Sequence, residues 1–482
     1  MSEKPLRLGV HNVEGARLAG PLELPSTAEM FKWIEEVVTQ GIRRPGYPAD
    51  RWTEKFIFDK FKDLGLQALR FEPVESSFWK DSHARLAVIA HQTTVEIECF
   101  PVPLSEPTVI EGPLAMWDPT DPAAVSGKVA VYELRFGSLP DEFPVLARRG
   151  ATSATSPSPK ALIEAGWAFD PDRTFVEGRH RLPFATELQD TMEPAIAAGA
   201  IGFVGVLRGY PSGGCEYYVP YDGTPRPIPG VYVSERDGDR LLELLEDDTA
   251  QASIDVVAER GTTTSRNVVG ELPGVDDDWV IIGTHHDAPW ASAVEDGTGI
   301  ALLLAQAAVW ASVSQNDRPH RLIFLATAAH MSAAAGTRSF IERHRPMMDR
   351  TVLEVHLEHA ALDSPPDRQA LDATTTRVTP RWWFTTEIPM LEQVVWDAIV
   401  AHRLDRSLIL TPDALAPFPT TDGGLFHLAG VPLVNYLTAP WYLFDPADTL
   451  DKVDQDTLSK VSRATYDIVR STANVSAKQM RI

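Results

Sequence analysis

Apolar residues recur along this chain with two different periods. Met30-Phe-Lys-Trp-Ile-Glu-Glu-Val-Val38 spaces them as a helix does, behind the capping-box pattern Ser26-Thr-Ala-Glu29. A second helix is expected from about Asp50 to Leu64, after the break at Arg44-Pro-Gly-Tyr-Pro48 and before Gly65. Leu66 to Val74 and Ala84 to His91 read as two strands. Trp279-Val-Ile-Ile282 is a β-branched run that suits a buried strand, and Ile300 to Trp310 is apolar on nearly every face, as in a fully buried helix. From about Gly274 to Thr472 strands and helices alternate, which predicts an α/β fold with a mostly parallel sheet and helices on both faces.

Between about Thr94 and Arg260 the texture changes to short β-rich segments with many Pro and Gly and no cluster of chemistry-bearing residues. Val125-Ser-Gly-Lys-Val-Ala-Val-Tyr132 is a turn into a strand, and Ala195 to Val206 is a helix end, a glycine cap and a buried strand. Residues 150 to 190 are expected to form a long loop over the site.

Composition narrows the partners. The 67 acidic against 44 basic residues leave a net charge of −23, which repels nucleic acid and anionic membranes. Two cysteines, Cys99 and Cys215, do not make a disulfide framework. The first residues have no apolar core of a signal peptide, and the longest apolar stretch is too short to span a bilayer. A cytoplasmic protein with a small-molecule or peptide-like substrate is expected, and a homo-oligomer is compatible with everything above.

Chemistry concentrates in Gly283-Thr-His-His-Asp-Ala-Pro-Trp-Ala-Ser-Ala-Val-Glu-Asp-Gly-Thr-Gly299, which leaves the predicted strand and enters the apolar helix. Ligands bind at such strand ends in open α/β sheets, and imidazole and carboxylate are the usual partners of zinc-like ions. No P-loop, GxGxxG, CxxC or GxSxG occurs in a credible setting, so nucleotide binding and Ser or Cys nucleophiles lack support.

His285-x-Asp287 followed by Glu295-Asp296-Gly-Thr-Gly299 resembles the M28 group of co-catalytic zinc aminopeptidases and carboxypeptidases. The opening order of helix, Arg-Pro-Gly turn, helix, Leu-Gly-Leu and strand is similar to theirs. The resemblance implies a zinc-peptidase-like catalytic domain in two parts, 1–93 and 263–482. The intervening 94–262 resembles the β-rich protease-associated (PA) domain that several M28 proteins carry as a lid or partner surface. It further implies that His285, Asp296 and Glu358 hold metal, and that Asp287 orients the histidine.

The second M28 metal site is altered. Anchoring on Gly336-Thr337 puts His330 at the catalytic-base position and Met331 at a ligand position. Asp448-Thr-Leu-Asp-Lys452 pins the last ligand position to Phe444. Neither a thioether nor a phenyl ring suits a hard zinc site. The expectation is therefore one divalent ion, zinc first and iron as the alternative, serving a hydrolase of amide or peptide-like bonds. His330 would be the base or a fourth ligand. His286 and His359, each beside a proposed ligand, would replace that neighbour or face the substrate. Two other readings stay open: an inactive M28-like binding protein, and a mononuclear iron lyase or oxygenase using two histidines and a carboxylate.

Overall fold

The computed structural model describes residues 23–140, 168–172, 174, 179–185, 192–363, 378–414, 419 and 421–481. Most of the expected loop over 150–190, and the lead-in before residue 23, lie outside these. Helix α1, Thr27–Val38, starts at Ser26, whose hydroxyl accepts the Glu29 amide hydrogen at 3.2 Å, and it buries Met30, Trp33, Ile34 and Val37. Helix α2, Pro48–Asp63, begins with Pro in its first turn, where the missing amide hydrogen costs nothing.

The two strands expected over 66–91 are one. Strand β1, Gln67–Ala90, runs unbroken because β2, Gln251–Leu272, pairs with it antiparallel along nearly its whole length. The polar middle of β1, which suggested a break, is accommodated by a register irregularity between Asp81 and His83. This long ribbon joins the two halves of the sheet. At one end β2 pairs with Val109–Met116, after which the strands Val129–Pro140, Gly202–Arg208 and Gly230–Ser234 follow in parallel order.

At the other end lies the sheet that carries the chemistry. Its strands are β3 (Trp279–His285), β4 (Arg321–Thr327), β5 (Thr351–Leu357), β6 (Arg381–Thr385), β7 (Ser407–Leu410) and β8 (Leu433–Leu437). The spatial order is β2-β4-β3-β5-β8-β6-β7. Strands β4, β3, β5 and β8 are mutually parallel, β2 joins β4 antiparallel, and β6 is antiparallel to β8 but parallel to β7. The fold is α/β with a mostly parallel sheet, as the alternation predicts. Because β3, β4 and β5 run the same way, the segments leaving them open on one edge: His285, Thr327 and Leu357 are their last residues.

Helix α3, Gly299–Ser312, packs against β3, β4 and β5 with eleven of its residues buried. Each fully buried Leu or Ile here stabilises the fold by roughly 1.5–3 kcal/mol relative to an exposed one. Its buried polar side chain, Gln306, donates to the Ser462 carbonyl at 2.7 Å and hydroxyl at 2.9 Å. That bond ties α3 to helix α5, Gln455–Arg470. Arg381-Trp-Trp-Phe-Thr385 is core, as is His356 inside β5.

Candidate metal centre

The loop from His286 to Ala293 leads into one irregular π-helical turn, Val294–Thr298, and side chains shape both. Two buried groups do this. The Arg43 guanidinium donates to the carbonyls of Ala291 (3.1 Å), Ser292 (2.8 Å) and Glu295 (3.0 Å). The Asp448 carboxylate accepts the amide hydrogens of Ala293 (3.2 Å), Val294 (2.8 Å) and Glu295 (2.8 Å). Arg44 adds a bond to the Pro289 carbonyl at 2.8 Å. The next peptide, Glu295–Asp296, is cis.

This loop turns Glu295 into a group of three histidines. Glu295 Oε1 lies 3.5 Å from His285 Nε2 and 3.9 Å from His330 Nε2, and its Oε2 lies 2.5 Å from His359 Nε2. Each imidazole is fixed from behind. His285 Nδ1 donates to the Asp287 carbonyl at 3.0 Å, His359 Nδ1 to the Thr438 carbonyl at 2.8 Å, and His330 Nδ1 to Asp422 Oδ1 at 2.7 Å. Carbonyl and carboxylate oxygens only accept, so each proton sits on Nδ1 and each Nε2 presents its lone pair to the centre whenever the ring is neutral. The rings of His285 and His330 stack 4.0 Å apart, 11° from parallel.

Asp296, expected as a ligand, sits at the margin. Its Oδ2 accepts the Thr284 hydroxyl and lies 3.8 Å from His285 Nε2, while its Oδ1 accepts the Gly299 amide hydrogen at 3.1 Å. A Cβ at Gly299 would fall 2.2 Å from that carboxylate, so only glycine lets α3 begin against it. Glu358 is adjacent. Its Oε1 is 3.1 Å from His356 Nε2, and His356 Nδ1 is 2.9 Å from Glu354 Oε1, which makes a buried acid–imidazole–acid row along β5.

Two expected roles are corrected. Asp287 orients His285 through its backbone carbonyl, not its carboxylate; the carboxylate instead accepts the amide hydrogens of His330 and Met331, both at 2.8 Å, and shapes the loop that presents His330. His286 does not face a substrate. A side chain next in sequence to an inward His285 is directed to the other side, and its Nδ1 lies 3.1 Å from Asp50 Oδ1 of α2 while Nε2 donates to the Arg266 carbonyl. His359, by contrast, stands at the centre itself.

Burial shapes the protonation of this group, since His285, Glu295, Asp296 and Glu358 are at most 1 % exposed and His359 and His330 only 5 % and 6 %. His285 follows burial, reinforced by the His330 charge, down to about 3. For His330 burial is outweighed by Asp422, Glu295 and Glu358, and its pKa rises to about 10; His359 reaches about 10 because Glu295, Glu358 and Asp296 outweigh burial. Glu295 falls to about 2, burial being overcome by His359, His285 and His330. Burial and the Glu358 charge push Asp296 upward.

The donor set fits a divalent cation. His285 Nε2 and Glu295 Oε1 are buried and have no hydrogen-bond partner. The ligand atoms of His285, Glu295 and His330 lie within 4.8 Å of one another, as do those of His285, Asp296 and His359. A tetrahedral zinc at about 2.0 Å from each donor needs donors about 3.3 Å apart, and Glu295 Oε1 lies 3.5 Å from His285 Nε2 and 3.9 Å from His330 Nε2.

Phe444 and Met331 contribute no ligand atom. The Phe444 ring lies 5.1 Å from Tyr221 at 19°, and Tyr221 lies 5.4 Å from the His330 ring at 25°. Tyr221 belongs to the 94–262 stretch, where no cluster of chemistry-bearing residues was expected. Its carbonyl accepts the Ala333 amide hydrogen at 2.9 Å, which fixes that wall to the His330 loop. Sequence reasoning also passed over Glu295, Asp422, Arg43 and Asp448. Glu295 had a signal, since Glu295-Asp296 is an acidic pair in a ligand loop, but nothing local says which of the two points inward.

A family model described as Peptidase family M28 matches residues 267–469. No curated protein matches the chain. Among solved structures, an aminopeptidase from Aneurinibacillus sp. strain AM-1 is 19 % identical with a TM-score of 0.61, covering 92 % of each chain. A peptidase M28 precursor from Shewanella amazonensis SB2B is 19 % identical with a TM-score of 0.65, again covering 92 % of each. A zinc aminopeptidase from Bacillus subtilis is 16 % identical with a TM-score of 0.61, covering 93 % of this chain and 96 % of that one. At these identities the likeness is one of fold.

Proposed function

Taking residues 267–469 as a member of peptidase family M28, we propose that this chain is a hydrolase of amide or peptide-like bonds that works with one divalent ion held by His285, Glu295, His330 and His359. The observation that carries this is the convergence of three imidazoles, each fixed at Nδ1 by an oxygen, on one buried carboxylate. Zinc is the first choice, since the Bacillus subtilis neighbour is a zinc aminopeptidase and a set of three histidines and a carboxylate suits that ion.

Bound there, the ion supplies Lewis-acid polarisation of a carbonyl and acidification of water. The chain supplies the rest. Glu358 is the candidate proton acceptor: it is buried beside the imidazoles, and its charge acts on His285, His330 and His359 alike. His356 behind it fixes the carboxylate at 3.1 Å and, with burial overcome, holds it in the charged form below the usual range. Asp296 serves as a brace, and Tyr221 with Phe444 closes the apolar side of the site, excluding water. The test is hydrolysis of a panel of aminoacyl and N-acyl anilides by purified protein. Activity abolished by chelator and restored by zinc supports the reading; no activity with zinc bound contradicts it.

A second reading is favoured by the number of imidazoles. Three histidines and one glutamate also suit Fe(II), with lyase or oxygenase chemistry. Iron restoring activity where zinc does not would select it. Failure to bind any metal would leave a binding protein on this fold.

A further inference from the structure

We propose that Asp422 is a positioning residue for the metal centre, fixing His330 as a ligand through a hydrogen bond from its Nδ1 to the buried carboxylate. The inference rests on the single-ion reading above. Asp422 is fully buried and stands at the head of the short helix α4, Gly423–Leu428, far in sequence from the metal loop. Its Oδ1 accepts from His330 Nδ1 at 2.7 Å, and its Oδ2 accepts from the hydroxyls of Thr327 (2.6 Å) and Thr337 (2.5 Å). Those two threonines flank the His330 loop, one ending β4 and one in the helix that follows it. One carboxylate therefore holds the imidazole and both ends of the segment that carries it.

The fold pays attention to this position. A Cβ at Gly423 would meet Asn435 Oδ1 at 2.7 Å and His356 Cβ at 2.8 Å, so glycine is what lets the head of α4 come down onto β5 and β8. That approach brings Asp422 within reach of His330. A histidine whose Nδ1–H is bound by a carboxylate is a stronger and better oriented ligand at Nε2, and loss of such a partner typically costs 10–100-fold in metal affinity. His285 and His359 lean on neutral carbonyls, so His330 is the imidazole with charged support.

The experiment is zinc titration of the full-length, metal-stripped chain against a chromophoric chelator, for wild type and Asp422→Asn. The variant is expected to bind zinc about 10–100-fold more weakly, and its cobalt-loaded form to show a shifted visible d–d band, which loss of packing alone would not produce. A folded Asp422→Asn with wild-type zinc affinity and an unshifted band overturns the role. If Asp422→Asn does not fold, Thr337→Val, which loosens Asp422 without touching His330, is expected to give a smaller loss in the same direction, and no loss overturns the role. A wild type that takes up no zinc overturns the metal reading beneath it, a result distinct from equal binding by both proteins.

Discussion

Arg43 and Asp448 grip the same loop by opposite halves of its backbone: Arg43 takes the carbonyls of Ser292 and Glu295, and Asp448 takes the amides of Val294 and Glu295. Glu295 is thus held at both its carbonyl and its amide by residues about 150 and 250 positions away in the chain. Arg43→Met leaves several buried carbonyls unpaired, each worth roughly 1–3 kcal/mol. A loss of at least about 3 kcal/mol in denaturant unfolding, with weaker metal binding, is expected; a stability within 1 kcal/mol of wild type would contradict the clamp.

His286 gives the protein a pH dependence outside the metal centre. Burial disfavours its cation, but Asp50 and Glu54 outweigh that and raise its pKa from about 6.5 to about 9. A raised folded pKa contributes stability that is complete below about 6.5 and lost as pH climbs through about 9, on the order of 3 kcal/mol at full extent. Unfolding of metal-free protein between pH 6 and pH 10 should show this loss on top of that from His330 and His359, and His286→Gln should make the slope shallower. A variant with the same slope as wild type would show that another group is responsible.

The metal ligands and the proposed proton acceptor are expected to separate. His359→Ala should lower metal content, because its Nε2 meets Glu295 Oε2 directly. Glu358→Gln should keep the ion and lose about 10²–10⁴ in kcat. Glu358→Gln losing the ion as fully as His359→Ala would make Glu358 a ligand, as the family resemblance implies.

Metal retention should also fall with pH. Protons compete for the His330 and His359 imidazoles, whose pKa values reach about 10, so apparent affinity is expected to fall steadily as pH drops below about 10. Equilibrium dialysis across pH 5 to 8 reads this out, and a flat profile would count against an imidazole-rich site.

Tyr221 carries the contribution of the 94–262 stretch. Tyr221→Ala is expected to leave zinc content unchanged while raising KM, because it removes the ring packed on His330 and Phe444. Unchanged kinetics would mean that the wall does not meet substrate.

How much of this was legible in the chain depended on the range of the forces involved. The buried helix α3 and strands β3 and β4 were visible because their apolar periods are local. His285 and the loop after β3 were visible because a strand end carrying imidazole and carboxylates is a local pattern. Glu295 against Asp296 was not, since which carboxylate turns inward is decided by Arg43 and Asp448, both distant in sequence. His286 was misread for the same reason: its partner, Asp50, lies on α2. Asp422 and Tyr221 entered only once the fold brought both to His330.

The most direct test is elemental analysis of protein purified without added metal, beside Glu295→Gln prepared identically. About one zinc per wild-type chain, and far less in the variant, is the expected result for a single centre built on Glu295. Two ions per wild-type chain, none even after dialysis against zinc, or an undiminished content in Glu295→Gln would contradict it.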